Sequence, residues 1–128
     1  MTYYYLASPY SKHPKGPKVA FERVLAQTAY LMSYGIPIFS PIVYSHILES
    51  QGQVRGDHAY WMSVDYPFMH SAIGCIVFTD DGWTTSKGVQ EEIEYFTKSS
   101  KPVFYAAAKE VPEMLLRLQH SSVHEAAV

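Results

Sequence analysis

Residues 73–79 read IGCIVFT, apolar at every position but the last. A strand with one wet face alternates in polarity, because successive side chains point to opposite sides of the sheet. A continuously apolar run instead belongs to a strand covered on both faces, the situation of a parallel sheet flanked by helices. The rest of the chain supplies the alternation that such a sheet needs.

A first strand is expected at Tyr3–Ala7, ended by Ser8-Pro9. Pro14, Gly16 and Pro17 mark a loop. From Lys18 to Tyr34, Phe21, Val24, Leu25, Thr28, Leu31 and Met32 recur at helical spacing. Pro17 suits the first helical position and Gly35 the stop. Ile36–Ser40 reads as a second strand closed by Pro41, and Ser45–Gly56 as loop with a helical turn. Asp57–Ser71 reads as helix, kinked or split at Pro67. Ile73–Thr79 is the third strand, Asp80–Thr85 a loop, Ser86–Ser99 a helix and Lys101–Ala106 the fourth strand. Val111–Gln119 is a last helix, and residues 121–128 read as a frayed tail.

The expected fold class is therefore α/β, one domain over residues 1–128. It is a Rossmann-like or flavodoxin-like three-layer arrangement with a parallel sheet of four to five strands. Ligands of such sheets bind beyond the carboxyl ends of the strands. ASPYS, SPIVYSH and TDDGWTTSKG, after the first three strands, land there.

Charge and motifs narrow the functions. The net charge is −2 and no basic stripe is present, so no nucleic-acid polymer is expected as a partner. No apolar run approaches the ~20 residues of a membrane span. The opening MTYYYLASPY lacks the charged and apolar regions of a signal peptide, so a cytoplasmic protein is expected. The one cysteine, Cys75, reads as a small buried hydrophobe. His46, His58 and His70 fit no zinc spacing, and His120 and His124 fall near the tail, so no metal is expected. Neither GxGxxG nor GxxxxGK[ST] occurs, and no cofactor is implied. Without GxSxG, a serine hydrolase is disfavoured.

The segment SKGVQEEIEY, residues 86–95, crowds three acids onto one helix. Val89, Ile93 and Phe96 define its apolar face. At ~100° per residue, Glu92 lies about 60° from the centre of that face, at the border of the core. Glu91 and Glu94 point toward solvent. Glu92 is thus either a nucleophile beside a pocket or a structural acid paired with Arg or Tyr. Ser86 reads as the N-cap, a place where free helix N–H groups also attract anions. Gly88, one turn before Glu92, leaves room for a ligand to approach the backbone.

Taken in order, YLASPYS (5–11), Arg23, GIPIFSPIVYSH (35–46), DHAYWMSVD (57–65), Gly82-Trp83 and SKGVQEEI (86–93) resemble the nucleoside 2-deoxyribosyltransferase-like superfamily. This superfamily includes the nucleoside 5′-monophosphate N-glycosidases, and the likeness is closest to its DUF1937 branch, with DUF4406 nearby. The resemblance implies cleavage of an N-glycosidic bond by a homodimer or larger homo-oligomer. It places the nucleophile on Glu92, the general acid on Asp65 and an orienting hydroxyl on Tyr5. Ser8, Ser11 and Ser86 would line the sugar and its 5′ end. Phe39 and Trp61 would stack on the base or pack in the core. The transferases carry a carboxylate where Ser86 stands, and the monophosphate hydrolases a serine. Ser86 therefore favours a nucleoside 5′-monophosphate, with Arg23 and Lys87 as candidate charges. The expected reaction is release of free base. Base exchange by a transferase, or nucleotide binding without turnover, are the alternatives.

Overall fold

The computed structural model describes residues 2–54 and 56–117. The elements run β1 (Tyr4–Ala7), α1 (Gly16–Ser33), β2 (Ile38–Phe39), α2 (Pro41–Glu49), α3 (His58–Ser71), β3 (Gly74–Phe78), α4 (Lys87–Lys98) and β4 (Val103–Ala106). Residues 113–117 add a further helical turn. His120, His124, the end of the expected last helix and its tail lie outside the described residues.

All strand pairs are parallel, in the order β2-β1-β3-β4. This is the flavodoxin-like order, in which the chain runs outward to one side after β1 and to the other after β3. The carboxyl ends of β1 and β3 are therefore the switch point where connections diverge and a crevice opens. Tyr5 pairs in register with Phe39 on one side and Cys75 on the other, and Cys75 with Val103. These four lie in one row on one face of the sheet.

Strand alternation divides the core in two. Tyr5, Ala7, Cys75 and Val77 face α3 and α4, where Met69, Ala72, Val89 and Phe96 cover them. Leu6, Ile76 and Phe78 face the other way, against Val24 and Leu31 of α1 and Leu115 of the last turn. All five residues of β3 are buried, as the unbroken apolar run requires. Gly74 is fixed by space: a Cβ there would stand 2.9 Å from the Pro102 carbonyl oxygen.

Three expectations are corrected. Residues 41–49 form a helix where a loop with a helical turn is expected from Ser45; it is begun by the Ser40 cap, whose hydroxyl accepts from Val43 N–H at 3.3 Å, and by Pro41 in the first turn. The second strand shrinks to Ile38–Phe39 because this helix starts directly after it. α3 passes through Pro67 as one helix. Pro67 is exposed, and burial of Asp65 and Met69 on the opposite face holds the helix across the missing N–H. Gly35, at φ 82°, ends α1 as its sequence predicts.

Candidate active site

Tyr5 leaves β1 toward α4, on a sheet face that is otherwise apolar. α4 begins at the switch point, capped by Ser86, whose Oγ accepts from Val89 N–H at 3.3 Å. Its sixth residue, Glu92, lies more than a turn inside the helix and is 7 % exposed. The Tyr5 hydroxyl donates a hydrogen bond to Glu92 Oε2. Phe39 and Phe96 pack their rings at 6.0 and 5.6 Å from that of Tyr5, so its hydroxyl cannot swing away without opening the core.

Asp65 comes from the buried face of α3. Its charge acts on both Tyr5 and Glu92. Asp65 Oδ1 and Ser8 Oγ are buried without a hydrogen-bond partner, as is Trp61 Nε1. Unpartnered buried polar atoms cost about 1–3 kcal/mol each, so their retention calls for an explanation beyond folding.

The electrostatics follow from burial. Desolvation pushes Glu92 up to about 8; the Tyr5 hydrogen bond opposes this, while the charges of Asp65 and Glu91 add to it. Desolvation also pushes Asp65 up to about 6. Burial and the Glu92 charge hold Tyr5 well above its ordinary range, so it remains the donor. Cys75 is buried beside this group and its thiol is pushed up by the same desolvation.

The structure thus brings together Tyr5, Glu92 and Asp65 and separates Glu92 from its acidic neighbours. Glu91 pairs with His58 at 2.8 Å and Glu94 with Lys98 at 2.5 Å, both at the surface. Gly88 has open space beside it: a Cβ there would meet only His58 Cε1, at 3.9 Å. No packing constraint of the protein demands a glycine at this position.

Other expected residues are placed elsewhere. Ser11 is exposed in the turn after Ser8. Phe39 stacks on Phe68 at 4.2 Å and 7°, within an aromatic cluster that includes Tyr44. Trp61 lies edge-on to Tyr60 and against Gly56, where a Cβ would stand 1.7 Å from Nε1. Arg23 is turned to Asp80 and Asp81, at 2.8 and 3.3 Å. Lys87 is exposed, with Glu91 at 3.9 Å. Among the described residues, no three His, Cys, Asp or Glu side chains are grouped to hold a metal.

Residues 2–108 match the family described as Domain of unknown function (DUF1937). The chain belongs to the DUF1937 family. No match is found among curated proteins. The matched span covers every element from β1 to β4, so the Tyr5–Glu92–Asp65 group lies wholly inside the DUF1937 domain. No helix among the described residues of this DUF1937 protein is long and apolar enough to cross a membrane.

Sequence reading missed His13 and Asp80. His13 is buried and bonds Asp80 at 2.9 Å. A histidine before proline in a polar loop gave no periodic signal, and its partner lies 67 residues away. It also missed that Tyr10 reaches His46 Nδ1 at 2.7 Å, with Phe21 stacked on that imidazole at 4.0 Å.

Proposed function

We propose that this DUF1937 protein cleaves the N-glycosidic bond of a nucleoside 5′-monophosphate through a glycosyl-enzyme on Glu92, as members of the nucleoside 2-deoxyribosyltransferase-like superfamily do. The observation that carries the reading is a buried carboxylate held by a tyrosine hydroxyl, with a second buried acid beside it, on the α3–α4 face of the sheet. Two such carboxyls of unequal surroundings are the requirement for glycosidic chemistry.

In this mechanism Glu92 attacks C1′ and forms an ester as the C1′–N bond breaks, and Asp65 delivers a proton to the departing base. Water then hydrolyses the ester and returns the proton. Tyr5 fixes the attacking oxygen. Ser8, whose hydroxyl lacks a protein partner, is available to a sugar hydroxyl. The open side of α4 at Gly88 gives the sugar access. The 5′-phosphate is bound by Ser86 and the first N–H groups of α4. Arg23 is held by Asp80, so phosphate binding rests on hydroxyl and backbone donors, with the exposed Lys87 beside them at the start of α4.

Glu92 must be ionised and Asp65 protonated, whereas their surroundings favour the reverse at neutral pH. Both arrangements hold one proton between the two acids. The active form is therefore a fixed fraction of the singly protonated pair, and kcat/KM should follow a bell with limbs near pH 6 and 8.

The test is incubation with ribo- and deoxyribonucleosides and their 5′-monophosphates, with and without a second free base, and separation of products. Free base from monophosphates alone is the expected result. A new nucleoside formed only with added base would make the protein a transferase. Tight binding without product would make it a nucleotide-binding module.

A further inference from the structure

A second buried polar group sits above the strand ends, and the glycosyl chemistry does not use it. The backbone N–H of Lys15 donates to His13 Nδ1 at 3.1 Å, so Nδ1 is the acceptor and Nε2 the donor of the ring. Nε2 then donates to Asp80 Oδ2 at 2.9 Å. Arg23 Nη1 donates to the other oxygen, Asp80 Oδ1, at 2.8 Å. Burial raises Asp80, but the Asp81 N–H, His13 and Arg23 outweigh it and hold the carboxyl below its usual range.

These residues join two loops and a helix. His13 belongs to the β1–α1 loop, Asp80 to the β3–α4 loop and Arg23 to α1. The loops also touch directly at Gly82, whose φ of 87° lets the turn close. A Cβ there would stand 3.3 Å from Pro14 Cδ and 3.5 Å from the Lys12 carbonyl oxygen. On its other side the β1–α1 loop is tied to α2 by Tyr10 and His46.

Resting on the glycosidase reading, we infer that His13, Asp80 and Arg23 are positioning residues that clamp the Ser8 loop onto the loop leading to Ser86. β1 and β3 are already joined by their ladder and need no such link. What the ladder leaves free is the spacing between the two loops beyond the strand ends. Ser8 stands on one and the α4 N-terminus on the other. A part-buried network in which both nitrogens of the buried His13 and both carboxylate oxygens of Asp80 are partnered fixes that geometry more narrowly than apolar contact would. The clamp therefore sets substrate affinity, while Glu92 and Asp65 set the chemical step.

Two near-isosteric variants separate the bonds of His13. In His13→Gln the amide nitrogen reaches the Nε2 position and donates to Asp80. In His13→Asn the carbonyl oxygen accepts from Lys15 N–H, but nothing reaches Asp80. The readouts are amide hydrogen exchange over residues 9–15 and 80–86, and kinetic constants on whichever compound of the substrate panel is turned over. In His13→Asn, exchange in both segments should rise about tenfold or more, with that in β1 and β3 unchanged. KM should rise about tenfold and kcat stay within about threefold. His13→Gln should behave as wild type in both. The clamp is refuted by unaltered exchange at 80–86 in the Asn variant, by equal behaviour of Gln and Asn, or by faster exchange without a change in KM. If the wild-type protein turns over nothing in the panel, the glycosidase reading fails, and exchange with Gln rescue alone decides whether the clamp exists.

Discussion

β1 and β3 feed both faces of the sheet, yet the faces are built differently. On the α1 side every buried strand residue is apolar: Leu6, Ile76 and Phe78 meet Val24, Leu31 and Leu115. On the α3–α4 side the same strands contribute Tyr5, and α3 and α4 bring Asp65 and Glu92 into the core beside it. One face maximises dry contact. The other buries two acids whose ionised forms burial disfavours, and leaves Ser8 Oγ and Asp65 Oδ1 unpartnered. Since each strand alternates, neither face constrains the residues of the other. A sheet of four short strands can thus keep an apolar core on one side and a buried polar group on the other.

The comparison breaks most sharply at Glu92. Glu92→Gln should keep the fold and lower turnover about a thousandfold or more, a loss of about 4 kcal/mol in barrier terms. Glu91→Gln, one residue away at the surface, should stay within about twofold. Wild-type rates in the Glu92 variant would remove it from the mechanism.

The mirror experiment is Leu31→Ala on the dry face. It should cost about 3 kcal/mol of stability in a denaturant titration and leave the rate per folded molecule unchanged. A loss of rate as large as the loss of stability would show that the faces are not independent.

Stability against pH sharpens the contrast. Glu92 and Asp65 are raised from 4.5 to about 8 and from 3.8 to about 6. The folded protein therefore holds protons that the unfolded chain has released. Their contribution to stability is full below the unfolded values and is lost as pH rises through the folded ones. Glu92→Gln removes the larger part of this slope, so the variant should melt above wild type at pH 8. Parallel melting curves across pH for the two proteins would contradict the burial argument.

The smallest expected effect is at the end of α4. Ser86→Ala removes a cap and should cost about 1 kcal/mol of stability. It should also raise KM for monophosphates more than for nucleosides. Equal changes for both would limit Ser86 to capping.

Glu92 was legible in the sequence because helical spacing alone put it at the border of the apolar face of its helix. β3 was legible because its burial left no polar position. Local rules were weaker where two signals competed. In α2, Pro41 reads as the end of a strand and the polar residues from Ser45 as loop, whereas Ser40 and Pro41 start a helix that runs to Glu49. In α3, Pro67 argues for a break that packing prevents. The resemblance named Arg23 as a candidate for phosphate, but its partners Asp80 and Asp81 lie 57 and 58 residues on. Such pairings follow from the strand order, which sets loops after β1 and β3 side by side, and spacing along the chain does not reveal them.

Cys75 offers a consequence of its own. It is the single cysteine of the chain, it is wholly buried, and it sits in register with Tyr5 in the middle of the sheet. A thiol buried under α3 and α4, with its ionised form disfavoured by that burial, reacts slowly with oxidants and alkylating reagents while the helices cover it. It becomes accessible when those helices lift from the sheet. The rate at which a thiol-specific chromophore labels the native protein is therefore a clock for that lifting, placed by the sequence itself one strand away from the tyrosine that holds Glu92.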